Sequence, residues 1–322
     1  MRYKRCLDNV KTKPTIFAEK IKAPLSTWNN MPQQDVLRRF LFEDLGVRGL
    51  WVRLTASWAT AQMHQQSPME AQLQLGQALT AAVLLSSTIK FNGSLILQAQ
   101  GDGPLQTLVA QTTHDRRVRG LVRCEGDLKT GSLQAMFGEG RMVITISSEN
   151  AKPYQGIVPL LGNNLAAALE NYFAQSEQLN TRLWLCADND RTTGLLIQEL
   201  PSQLNNKADW ERIELLASTV TEQELQDLDC EQLLYRLFHE ENVRLYDEEA
   251  VTFDCSCSRQ KVENALRIVG RDELEQVLNE RGHIEVNCEF CNKQYRFDRI
   301  DIEQLLRSDL GTATSADPHL RH

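Results

Sequence analysis

Four cysteines toward the C-terminal end fall into two tight pairs, Cys255-Ser-Cys257 and Cys288-Glu-Phe-Cys291, with thirty residues between the pairs. Four soft thiolates brought to one point match the tetrahedral preference of Zn²⁺, and a site closed by four sulfurs keeps no open position for a substrate. The same sulfurs are what an oxidant attacks, and each cysteine has a neighbour ready to resolve a sulfenic acid. The residue types therefore admit a zinc clamp, two disulfides, or the first followed by the second. An iron–sulfur cluster takes the same ligands. His283 lies near Cys288 in the sequence, but four sulfurs complete a tetrahedron without it.

For the pairs to meet, the thirty residues between them must fold back. Asp272 to Leu278, stopped near Gly282, has the pattern of a helix that does this. Cys-x-Cys replaces one of the usual Cys-x-x-Cys arms, and the loop is longer than the usual 15–20 residues of such sites. From Cys255 to Arg299 there are only 45 residues, a length that seldom buries enough apolar surface to fold alone. Zinc binding releases about 10–16 kcal/mol in small metal-dependent folds, against a whole-domain stability of about 5–15 kcal/mol. Loss of the metal should unfold this unit, and oxidised sulfurs stop being ligands.

The remaining bulk properties bound the rest. The chain has 322 residues, enough for one sizeable core and a smaller unit, and no apolar run approaches the length of a membrane span. The N-terminus has no apolar signal core, which points to the cytoplasm, where thiols stay reduced and a metal or redox role is favoured over a disulfide framework. Cys6, Cys124, Cys186 and Cys230 are isolated and read as packed or free thiols. Net charge is −8, and residues 204–250 alone carry thirteen acidic against four basic side chains. With no basic stripe to compensate, a nucleic-acid partner is disfavoured. No Gly-Lys dipeptide occurs, so a P-loop ATPase is excluded.

These patterns give an α+β fold in five parts: a basic, poorly ordered extension over 1–30, a compact α+β core over 31–200, an acidic helical linker over 201–252, a small four-cysteine zinc domain over 253–305, and a disordered tail over 306–322. An alternative start at Met31 would omit the extension. Ser67-Pro68-Met69-Glu70 reads as a helix start, and Ala71 to Leu85 as a buried helix apolar on most faces. Asn92-Gly93 reads as a hairpin turn between strands Thr88–Phe91 and Leu95–Ala99. Met142 to Ser147 alternates as a strand, Leu165 to Ser176 reads as a helix, and Arg182 to Cys186 as a strand. Thr221 to Glu224 and Asp229 to Gln232 resemble capping boxes, and Leu233, Leu234, Leu237 and Phe238 form an apolar stripe that something must cover.

Phe253-Asp-Cys-Ser-Cys-Ser258, Val286-Asn-Cys-Glu-Phe-Cys291 followed by Tyr295-Arg-Phe297, Asn171-Tyr-Phe-Ala-Gln-Ser-Glu-Gln-Leu179, Gln100-Gly-Asp-Gly-Pro104 and Tyr154-Gln-Gly156 together resemble the 33 kDa chaperonin family, bacterial redox-regulated heat-shock holdases. The likeness spans about residues 31–301. It implies that Cys255, Cys257, Cys288 and Cys291 hold one Zn²⁺ when reduced and form the disulfides Cys255–Cys257 and Cys288–Cys291 when oxidised. It implies further a linker that unfolds on activation, a homodimer when oxidised, unfolded client proteins as partners, and ATP-dependent refolding chaperones downstream. The implied protein is no enzyme. Asn180 departs from the family's pattern, which is expected to have Pro there, as do the thirty extra N-terminal residues.

Three rivals use the same cysteines. A zinc-ribbon nucleic-acid binder lacks its basic footprint, since residues 255–299 hold eight basic and eight acidic side chains. A thiol–disulfide oxidoreductase needs its motif at a helix start, whereas a strand-like Asn292 to Phe297 follows Cys291. A merely structural zinc staple leaves the adjacent acidic amphipathic segment without a role.

Overall fold

The computed structural model describes residues 15–16, 35–43, 45–126, 128, 131–149, 151–201 and 207–307. Apart from Thr15–Ile16, the basic extension lies outside the described residues, as do Cys6 and the tail beyond 307. The chain divides into two compact units, Met1–Asp254 and Cys255–His322.

Two sheets build the first unit. One runs in the order β1 (Thr15–Ile16), β11 (Val243–Leu245), β2 (Val36–Phe42), β3 (Val47–Leu54), β10 (Thr192–Glu199), β9 (Thr181–Ala187), with β12 (Glu249–Ala250) also on β2. All its pairings are antiparallel. The other runs β13 (Thr252–Phe253), β6 (Arg117–Cys124), β5 (Leu105–Thr113), β4 (Gly93–Gln100), β7 (Arg141–Ser148), β8 (Ala151–Pro159), and β13 joins it parallel to β6. Helices α1 (Ala56–Met63), α2 (Met69–Ser86), α3 (Leu133–Phe137) and α4 (Leu165–Tyr172) accompany them.

Helix α2 is apolar on most faces because it packs against strands of both sheets. Gly120 and Gly194 let it approach: a Cβ on Gly194 would come within 2.4 Å of Thr80, and one on Gly120 within 2.7 Å of Leu75. Two expectations near this helix fail. Ser67 does not cap it; the hydroxyl instead donates to the Val122 carbonyl at 3.0 Å. Thr88–Phe91 is not a strand, because the Ser87 and Thr88 amides turn back onto the carbonyls of Val83, Leu84 and Leu85 and close the helix. Gly93 is then the first residue of β4, whose partners are β5 and β7. The helix read over Leu165–Ser176 is α4 continued by one π-turn over Phe173–Glu177. Strands β7 and β9 cover the two later strand readings. Asn180, where the family pattern has Pro, donates its side-chain amide to Glu199 at 2.6 Å.

The strand period of two assigns the two faces of the first sheet. Leu50, Val52, Leu54 and Leu196 join the core around α2, while Val47, Trp51, Leu195 and Ile197 point the other way. That other face is covered by the acidic segment: α5 (Lys207–Ala217), α6 (Glu222–Asp227) and α7 (Cys230–Phe238). Both capping boxes form, at Thr221 with Glu224 and at Asp229 with Gln232. The stripe of Leu233, Leu234, Leu237 and Phe238 is buried, with the Phe238 ring edge-on to Phe42 at 4.9 Å.

The second unit places α8 (Arg259–Val269) and α9 (Arg271–Arg281) between the cysteine pairs, then a hairpin of β14 (Ile284–Asn287) and β15 (Gln294–Phe297), then α10 (Arg299–Arg307). Gly282 ends α9 in the left-handed conformation, as Gly commonly does at helix C-termini. Its buried core is small: Leu266, Leu274, Leu278, Ile284, Tyr295, Phe297, Ile302 and Leu305 among the described residues.

Candidate metal and redox centre

Cys255 follows directly on the end of the first unit, and Cys257 precedes Ser258, whose hydroxyl accepts from the Lys261 amide and starts α8. Lys261 also reaches back, its Nζ donating to the Ser256 carbonyl at 2.7 Å and hydroxyl at 3.1 Å, which fixes the loop carrying the first pair. Helices α8 and α9 then return the chain to β14, which delivers Cys288. The second pair sits on a tight turn between β14 and β15: the Asn292 amide donates to the Cys288 carbonyl and the Cys288 amide to that of Lys293. Asn292 holds φ 52, a left-handed value that Asn tolerates better than most residues. Cys288-Glu-Phe-Cys291 thus stands on a hairpin turn and not at a helix start, the placement an oxidoreductase uses to lower its first thiol's pKa.

The sulfurs of Cys255, Cys257, Cys288 and Cys291 all lie within 4.8 Å of one another, and all four are free thiols. Cys255 Sγ stands 3.6 Å from Cys288 Sγ, and Cys257 Sγ 3.5 Å from Cys291 Sγ. With bonds of about 2.3 Å, a regular tetrahedron of sulfurs has edges of about 3.8 Å. The four donors therefore fit a tetrahedral thiophilic ion. His283 takes no part; its Nε2 faces Glu285 at 3.0 Å.

Electrostatics set Cys257 apart from the isolated thiols. Burial pushes the thiols of Cys124, Cys186 and Cys230 up, which keeps them protonated and slow toward oxidants. Cys257 is also pushed up by partial burial, but hydrogen bonds from Tyr295 and from the other three sulfurs outweigh this and bring it down to about 7. The Tyr295 hydroxyl donates to Cys257 Sγ at 3.1 Å, and in consequence its own ionisation is raised to about 12. Burial raises Cys288 against backbone amide bonds from Phe290 and Cys291, and raises Cys291 to about 12. A bound cation would deprotonate the thiols that hold it outright.

All four cysteines singled out from the sequence come together here. Tyr295 and Lys261 were missed as participants, although Tyr295 alternates with Phe297 on a strand that begins three residues after Cys291 and had to turn inward.

Similarity to known proteins agrees with this construction. The family model described as Hsp33 protein matches residues 35–298. The 33 kDa chaperonin of Nitrosococcus oceani is 55% identical over 90% of this chain and 100% of its own length. That of Shewanella woodyi is 44% identical over 84% of this chain and 94% of its own. The crystal structure of the Thermotoga maritima 33 kDa chaperonin (heat shock protein 33 homolog) superposes with a TM-score of 0.75 at 26% identity, covering 86% of this chain and 99% of that one. With its mixed α/β core and its cluster of four cysteines, the chain belongs to the Hsp33 family of chaperones.

Proposed function

We propose that this chaperone is an ATP-independent holdase switched on by oxidation. In the reduced state Cys255, Cys257, Cys288 and Cys291 hold one Zn²⁺, which supplies the second unit with the stability its eight-residue buried core lacks. Under peroxide the four thiolates give up four electrons to two equivalents of oxidant. With four protons from solvent the products are two S–S bonds and four waters, and disulfide sulfurs no longer donate to a metal. Cys255–Cys257 and Cys288–Cys291 are the bonds we assign, each closing on its nearest neighbour in sequence.

The second unit then unfolds, and the acidic segment that precedes it is released from the first sheet. Its detachment bares the apolar side chains it now buries, among them Phe42, Trp51, Leu195 and Ile197, for unfolding client proteins. Activation proceeds with dimerisation, and clients pass later to ATP-dependent refolding chaperones. The chemistry suits a reducing compartment such as the cytoplasm, where the off-state is the resting state. Among the described residues no helix is long and apolar enough to cross a membrane.

The observation that carries this reading is four free thiols within 4.8 Å of one another at the head of a unit too small to fold without help. The test is aggregation of a thermally unfolding client, followed with reduced and with peroxide-treated protein. The reading expects suppression by the oxidised form alone; equal suppression by both forms would leave a chaperone with a structural metal and no switch.

A further inference from the structure

One arginine stands where three parts of the first unit meet. Arg38 lies on β2, and its side chain is only 11% exposed. Its Nε donates to the Tyr246 carbonyl at 3.0 Å, and its Nη1 to Glu231 Oε1 at 2.9 Å and Glu248 Oε1 at 3.0 Å. Glu231 belongs to the first turn of α7. Tyr246 and Glu248 belong to the short stretch between β11 and β12, which runs on through β13 to Cys255.

This tether is also held elsewhere, by the Tyr246, Thr252 and Asp254 amides on the Arg39, Arg116 and Val118 carbonyls and by Val251, 3% exposed in the core around α2. β12 and β13 are two residues each, supported by the Val251 amide on the Asp35 carbonyl and by pairs of Arg39 and Arg116 with Glu249 and of Arg117 with Asp254. The most exposed of these pairs, Arg117 with Asp254, contributes little. Arg38 adds a largely buried guanidinium that reaches three acceptors, two of them carboxylates about half exposed. Without it Glu231 and Glu248 converge as like charges.

We propose that Arg38 is a clasp that holds the tether and helix α7 to the first sheet at one point. One nitrogen serves both carboxylates, so losing the guanidinium frees both segments together. The clasp is the physical link between the sensor's end of the chain and the helix over the apolar face; its part in switching rests on the function proposed above.

Native-state hydrogen exchange on the reduced, zinc-loaded full chain tests it without oxidant or client. Arg38→Met keeps the aliphatic stem and removes the charge; it should speed exchange about tenfold or more in both 230–238 and 246–250, with β3 and β10 unchanged. Arg38→Lys should fall between, and Glu248→Gln should loosen 246–250 in the native background while adding nothing to Arg38→Met. Loosening confined to one of the two segments overturns the clasp, as does no change in either, or uniform loosening through β3 and β10. A clasp that fails this way leaves redox activation standing, and failed redox activation leaves the exchange result standing. Where both hold, Arg38→Met also reaches full chaperone activity at a lower peroxide dose than the native chain.

Discussion

Removing one oxygen atom from the metal centre gives the sharpest test of how the protein tunes it. Tyr295→Phe deletes the hydroxyl that donates to Cys257 Sγ at 3.1 Å and leaves the ring in place, where it is 6% exposed within the second unit's core. A hydrogen bond to a charged acceptor is worth about 1.5–3 kcal/mol, or roughly a ten- to hundredfold change in an equilibrium constant. Partners that orient metal ligands have effects of the same size, about 10–100-fold in affinity. The variant should therefore bind Zn²⁺ about 10–100-fold more weakly at neutral pH. In zinc-loaded protein, where the metal keeps Cys257 deprotonated, its sulfur, relieved of the hydroxyl's pull on its negative charge, should also react faster with peroxide. Zinc affinity is read by competition with a chromogenic chelator on reduced protein, and circular dichroism of the zinc-loaded form confirms that the fold is retained. An affinity indistinguishable from the native chain's, with the fold intact, would refute the claim that this hydroxyl stabilises the liganding thiolate.

Three further outcomes follow from the same geometry. Zinc retention by the reduced chain should fall as pH drops through about 7, because a proton then competes with the metal for the Cys257 sulfur. Cys291, pushed up to about 12, gives up its proton only to the metal, and proton release on zinc binding, read by calorimetry in two buffers, checks both. Phe238→Ala removes a side chain 2% exposed that meets the Phe40 and Phe42 rings, a change of about 3–5 kcal/mol in a packed core. It should loosen the acidic helices while leaving zinc bound, so that the reduced variant suppresses client aggregation; a reduced variant as idle as the native protein contradicts that. Replacing Cys255 and Cys288 with Ser should abolish both zinc retention in dialysed protein and the response to peroxide.

Much of the centre was legible because its chemistry is local. Cysteines in pairs announce ligands whatever the intervening chain does, and the helical signal over Asp272 to Leu278 was enough to fold that chain back. Capping boxes at Thr221 and Asp229 are set by residues three apart, and both formed. What failed depends on tertiary choice. Ser67 had two acceptable uses for its hydroxyl and took the Val122 carbonyl over the helix end. Asn92-Gly93 carried hairpin chemistry, but the residues before it had already been spent in closing α2, and β4 drew its partners from further along the chain. Arg38 offered no signal at all, since its three acceptors lie 193 to 210 residues away.

The central claim is that one set of four sulfurs both holds the metal and senses the oxidant. Bound zinc and free thiols should be counted on the same sample before and after peroxide, with client aggregation measured alongside. The account predicts one zinc per reduced chain, the loss of that zinc together with four thiols, and the appearance of chaperone activity over the same time course. Activity that appears while zinc and all four thiols remain, or zinc lost with no gain in activity, would contradict it.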